Sequence, residues 1–224
     1  MKKKSSIYKH SLVLTGIIIL FLFGIGLFMY PVVCNWYNDH NSGIIISSYD
    51  ISVNQMNKEQ LEVLKSKADE YNRHIAEDQF VDSEGDSMFT IGDVLGYIEI
   101  PDIKVYLPIC PGTSDDVLSH AAGHLSNSSL PVGGNSTHCV ITGHSALPEA
   151  KLFTELDKMK IGDVFYIHSF DKVLEYRVEQ IKVVLPYDTS DLKVIRDKDY
   201  VTLCTCTPYA VNTHRLLVRG IRTN

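Results

Sequence analysis

The sequence predicts a mainly β protein, a closed barrel or sandwich with short helical turns, preceded by a membrane helix and an amphipathic helix. Three observations carry this. From Gly96 onward, short apolar or alternating runs ("GYIEI", "KVYLPI", "HCVIT", "DVFYIH", "EYRVEQIKVVL", "DYVTLCTC", "HRLLVRG") are separated by Pro101, Gly133, Gly134, Gly162 and Pro186, the punctuation of an all-β domain. Leu12 to Tyr30 carries no charge. Between these regions, apolar residues recur at Leu61, Leu64, Ala68, Tyr71 and Ile75, the spacing of one helical face.

Taken in order, residues 1–11 hold Lys2, Lys3, Lys4 and Lys9 and are expected in the cytoplasm, because basic residues stay on that side. Residues 12–33 form the anchor, since an apolar helix rising about 1.5 Å per residue spans a hydrocarbon core of about 30 Å. Pro31, Trp36 and Tyr37 follow it and suit the interfacial belt. A cleaved signal peptide is the alternative, although its apolar core is usually shorter and no small-x-small site follows.

Residues 34–95 are an extracytoplasmic segment built around the amphipathic helix. Asn57 with Gln60 reads as an N-cap and its partner three residues on. The helix dissolves into the acidic loop "EDQFVDSEGDSMF". Residues 96–224 form the β domain, interrupted by helical stretches in "TSDDVLSHAAGHL", capped by Thr113 or Ser114, and in "PEAKLFTELDKM".

Without the four N-terminal lysines, 17 basic residues face 27 acidic ones, which argues against a nucleic-acid partner. Five cysteines do not pair evenly. Cys204 and Cys206 share one face of an extended strand, too far apart for a disulfide, so free thiols are expected. Cys34 lies at the membrane edge, and Cys110 and Cys139 stand in apolar contexts.

In "YVTLCTCTPYAVNTHRLLVRG", a strand ends near Cys206, Pro208 breaks the ladder, and a second strand begins at Thr213. This hairpin-like connection brings Cys206 near Arg215. A guanidinium there stabilises negative charge at the sulfur and on a carbonyl oxygen that the sulfur attacks. The missing proton donor is best supplied by His144, at the end of the strand in "CVITGHSALP". His120 and His124 form an i, i+4 pair on the predicted Thr113 helix, but without a further ligand or a metalloprotease motif they read as a polar face. His214 should point away from Arg215.

The runs "TLCTCTPYAVNTHRLLVRG" and "VITGHSALPEAKLFTELDKMKIGDVFYIH", with "GYIEIP", "LPVGG" and "VVLPYDTSDL", resemble the sortases, membrane-anchored cysteine transpeptidases of Gram-positive bacteria. The "TCTPY.VNTHR" run is similar to their pilin-polymerising class C. The resemblance implies an eight-stranded sortase-type closed β-barrel over roughly Gly96 to Gly220. Cys206 is then the nucleophile, His144 the general acid and base, and Arg215 the positioning and oxyanion group.

The implied partners are a Leu-Pro-x-Thr-Gly-like sorting signal, cleaved between Thr and Gly through a thioester, and an amine acceptor. That amine is a pilin lysine in class C enzymes and a cell-wall precursor in anchoring sortases. No cofactor and no metal is implied, because the thioester retains the acyl energy. A catalytically idle barrel that only binds sorting signals is a further alternative.

Three departures from the family pattern stand out. Class C enzymes carry an Asp-Pro-aromatic lid, and the matching place here reads Asp78, Gln79, Phe80, either a lid in which Asp78 pairs with Arg215 or a solvated linker. The family's C-terminal membrane helix has no counterpart before Asn224. Ser145-Ala146 and Ala210 replace a usual Arg-Gly and Gly, and Ala210 is strained if its position needs positive φ.

Overall fold

The computed structural model describes residues 2–77, 88–145 and 150–223. Its first helix, α1 (Lys2–Gln55), contains the predicted anchor and continues well past it. It is long and apolar enough to cross a membrane. Pro31 lies inside it, and the Asn35 side chain donates to the Pro31 carbonyl at 2.8 Å. Beyond Gly43 the hydroxyls of Ser47, Ser48 and Ser52 donate to the carbonyls four residues back, which satisfies them within the helix while sharing its backbone acceptors.

The last turns of α1 bury Ile46, Tyr49 and Val53 against the β domain. The Tyr49 hydroxyl accepts a hydrogen bond from the Phe170 amide at 2.7 Å. Helix α2 (Lys58–Ala76) starts with the expected capping box, in which Asn57 Oδ1 accepts from the Gln60 amide and the Gln60 side chain accepts from the Asn57 amide. Its predicted seam is the packed face: Ala68, Tyr71 and Ile75 are buried, and Leu61 and Leu64 pack partly on the same core.

Eight strands follow: β1 (Gly96–Ile100), β2 (Val105–Pro111), β3 (Ala122–His124), β4 (Thr137–Thr142), β5 (Val164–Ser169), β6 (Lys172–Val184), β7 (Asp199–Thr207) and β8 (His214–Arg222). They close into a barrel in the order β1-β2-β3-β4-β7-β8-β6-β5. Two neighbouring pairs, β2 with β3 and β4 with β7, run parallel, and the rest are antiparallel. Closure leaves no free sheet edge, which removes the hazard that exposed edge strands carry.

Inward-facing Ile98, Ile141, Phe165, Ile167, Leu174, Tyr176, Leu203 and Val218 are almost fully buried and fill the lumen. Buried Tyr176 donates its hydroxyl to Asp199 at 2.9 Å, so its polar end is satisfied. β5 alternates strictly between buried and half-exposed positions. Five of the six residues of β4 are buried, because its outer face is also covered, by the end of α2 and by residues 189–194 of the β6–β7 connection.

Both helical stretches form, but only as short turns. Within "TSDDVLSHAAGHL" only one turn forms, α3 (Asp115–Leu118), capped by Ser114. His124 instead lies in β3, so it and His120 do not share a helix face. Its ring Nε2 meets the Ser129 carbonyl at 2.9 Å and the Ser128 hydroxyl at 3.1 Å. Gly123 explains why this short strand forms: a Cβ there would meet the Gly112 carbonyl oxygen at 2.4 Å, so β2 and β3 approach only through glycine. In "PEAKLFTELDKM" the described residues make turns and a 3-10 turn at Leu156–Lys158, not an α-helix.

Candidate active site

The strand pair β7–β8 sets the first relationship. Cys206 stands directly opposite Arg215 in the antiparallel register, and Thr207 opposite His214. The chain turns between them through Pro208, whose carbonyl accepts from the amides of Val211 and Asn212. Ala210 sits at φ +61°, so the strain expected of a non-glycine residue in the left-handed region is present.

The parallel pair β4–β7 sets the second. Thr142 is in register with Cys204, and the chain leaving β4 passes alongside the end of β7. The Gly143 amide donates to the Cys204 carbonyl at 3.0 Å, and the Thr205 hydroxyl donates to the Gly143 carbonyl at 2.7 Å. Ser145 donates from its hydroxyl to the Cys206 carbonyl at 2.8 Å. The His144 carbonyl accepts from the Phe153 amide at 3.1 Å. These bonds hold the backbone around His144 against the backbone around Cys206.

His144, Cys206 and Arg215 accordingly line one cleft of about 310 Å³. Its walls carry Leu118, Leu125 and Val140, with Val184, Leu185, Pro186 and Leu192 from the end of β6 and the β6–β7 connection. An apolar cleft with a few convergent polar groups suits a short extended peptide. His214 is not among the lining residues, in keeping with its place on the other face of β8.

Among the described residues the Arg215 guanidinium donates to the carbonyls of Asn212, at 3.3 Å, and His214, at 3.1 Å. No carboxylate pairs with it among the described residues. Its charge therefore remains available to an anion forming in the cleft. The pairing expected with Asp78 in a lid, and the shielding by Phe80, lie outside the described residues.

None of the five cysteines is in a disulfide. Cys204 lines the same cleft, but burial pushes its thiol up to about 11. Cys110, away from the cleft, is pushed up to about 11 by burial and then by the nearby charge of Asp93. Cys139 is buried.

Three contributors escaped the sequence reading. Ser145 and Thr205 clamp the His144 backbone, and nothing in their spacing marks them. His138 is the third. Fully buried, it places Nδ1 2.8 Å from the Lys193 carbonyl and Nε2 2.7 Å from the Thr202 hydroxyl. The carbonyl can only accept, so Nδ1 carries the proton and Nε2 accepts from Thr202. The ring thereby fastens the β6–β7 connection, one wall of the cleft, to β4 and β7.

The sortase domain family matches residues 98–223. Among solved structures, Clostridium perfringens sortase C, determined with the C-terminal cell wall sorting motif, is 48% identical, with a TM-score of 0.75 over 80% of this chain and 97% of that one. Streptococcus pneumoniae sortase C is 45% identical, with a TM-score of 0.76 over 80% of this chain and 96% of that one. Sortase A of Bacillus anthracis is 28% identical over 127 residues, 57% of this chain, and the match spans 59% of that relative's length. The family match runs from β1 to just beyond the end of β8 and includes Cys206, His144 and Arg215. The chain belongs to the sortase family, in its class C.

Proposed function

We propose that the protein is a membrane-anchored cysteine transpeptidase that cleaves a Leu-Pro-x-Thr-Gly-like sorting signal and passes the acyl group to an amine, a pilin lysine. The observation that carries this is the cleft in which Cys206 faces Arg215 across β7–β8 while His144 is clamped beside them. Helix α1 would hold the barrel at the outer face of the membrane.

In the first half-reaction the Cys206 sulfur adds to the threonine carbonyl carbon, and its proton passes to His144. The guanidinium of Arg215 stabilises the oxyanion. The C–N bond then breaks, His144 hands the proton to the departing glycine amine, and a thioester remains on Cys206. In the second half-reaction an amine takes the place of the departed one and the steps run in reverse. The leucine and proline of the signal find apolar company in Leu118, Val184, Leu185 and Leu192.

Two similarities support the choice of substrate. The Clostridium perfringens enzyme was determined with a C-terminal cell wall sorting motif, and the Streptococcus pneumoniae enzyme is described with pilin substrate specificity. Identity to these class C structures is well above that to the Bacillus anthracis sortase A, which favours a pilin acceptor over a cell-wall precursor. Mass spectrometry of the protein mixed with a Leu-Pro-x-Thr-Gly peptide tests the reading. An acyl adduct on Cys206, absent in Cys206→Ala, is expected; peptide binding with no adduct would leave only a signal-binding barrel.

A further inference from the structure

Two charges of opposite sign lie in the cleft without neutralising one another. One is Arg215. The other is Asp188, in the β6–β7 connection, the one acidic side chain lining the cleft among the described residues. Its Oδ1 accepts from the Ser190 amide at 3.1 Å and the Ser190 hydroxyl at 2.6 Å. These bonds hold the carboxyl below the usual carboxylate range. Oδ2 has no partner among the described residues. Lys182, whose charge also acts on Asp188, makes its ion pair with Asp191.

An aspartate that is oriented, ionised and half-satisfied has a clear chemical complement. A peptide's leucine and proline side chains offer it no donor, its threonine hydroxyl and amides offer only neutral ones, and the developing oxyanion would be repelled by it. A primary ammonium fits, since it is compact and brings three donors. The geometry points to Asp188 as the docking carboxylate for the ammonium group of the incoming acceptor. It gives the second half-reaction its preference for a charged amine over water or a neutral nucleophile. This rests on the acyl-transfer reading above.

The docked ammonium releases one proton to solvent and a second to His144, and its nitrogen lone pair forms the new C–N bond with the thioester carbon. The C–S bond breaks, its electron pair returns to Cys206, and His144 gives the sulfur its proton back. Asp188 exchanges no proton. It concentrates and aims the acceptor before deprotonation, while the proton leaves through His144.

The test compares two acceptors for one thioester: Nα-acetyl-lysine amide, which carries an ammonium, and hydroxylamine, which is uncharged at neutral pH. With a sorting peptide as donor, Asp188→Asn should lower the preference for the lysine acceptor over hydroxylamine about tenfold, the scale of one charge-assisted contact. Asp188→Glu should restore more than half of it. In the unsubstituted protein, raising salt from about 0.05 to 0.5 M should weaken the lysine acceptor alone, because a partly exposed charge pair is screened.

An unchanged preference in Asp188→Asn would overturn the assignment, as would a salt response shared by both acceptors. Hydroxamate formation reports the thioester independently of Asp188. Its absence in the unsubstituted protein would sink the acyl-transfer reading itself, and this inference with it.

Discussion

Ser145 donates a hydrogen bond of 2.8 Å to the backbone carbonyl of Cys206, tying the residue after the imidazole to the residue that bears the sulfur. Ser145 is buried, and removing its hydroxyl leaves the Cys206 carbonyl one donor short. Ser145→Ala should lower stability by about 1 kcal/mol. It should also slow acylation several-fold, read by single-turnover release of the glycine fragment, with peptide affinity little changed.

Gly143 precedes the imidazole and lies against a buried ring. A Cβ there would stand 2.8 Å from two ring carbons of Phe153, which is fully buried and has nowhere to retreat. Gly143→Ala should cost about 1–3 kcal/mol through overpacking. Denaturant midpoints would show this, and Phe153→Leu should recover part of the loss by making room.

Ala210 is held at φ +61° in the turn between Cys206 and Arg215. A left-handed conformation costs a side-chain-bearing residue about 1–2 kcal/mol, and glycine's greater unfolded-state freedom gives back part of the gain. Ala210→Gly should therefore stabilise the protein by about 0.5–1 kcal/mol in urea unfolding. No change, or a loss, would show that the turn does not strain its alanine.

The barrel thiols should separate by reactivity. With their thiols pushed up to about 11, Cys204 and Cys110 hold about a thousandth of their population as thiolate at pH 8. Brief iodoacetamide treatment at that pH should label Cys206 first, as peptide mapping would show. Labelling of Cys204 should rise only as the pH approaches 11.

Burial lowers the basicity of His138 below the ordinary histidine value. Between that lowered value and about 6.5 the unfolded chain binds the proton and the folded chain does not. The stability it contributes is fully present above about pH 6.5 and is lost as the pH falls. Urea midpoints measured from pH 7.5 down to 5 should decline, and His138→Asn, which keeps a donor for the Lys193 carbonyl, should flatten the decline.

Much of this architecture is legible in the sequence because it is periodic. Alternation marks β5 and β7, and helical spacing with a capping pair marks α2. β3 is not legible: Ala122, Gly123 and His124 carry no strand preference, and they pair because Gly123 lets β2 come close. The stretch after Pro148 has the composition of a helix, yet Leu152, Phe153 and Leu156 are pulled into the core from successive turns. At the site, the sulfur, imidazole and guanidinium announce themselves by their chemistry. Ser145, Thr205, His138 and Asp188 do not, because their roles come from partners that only the closed barrel supplies.

The parallel pairing of β4 with β7 has one further consequence. Neighbours that run the same way cannot be linked by a tight turn, so everything from Gly143 to Lys198 must be laid down between them. Contacts so distant along the chain form late. A truncated chain ending before Asp199 carries His144 but neither Cys206 nor Arg215, so the imidazole waits without its partners. Competence arrives in a single event, when the last staves are fitted.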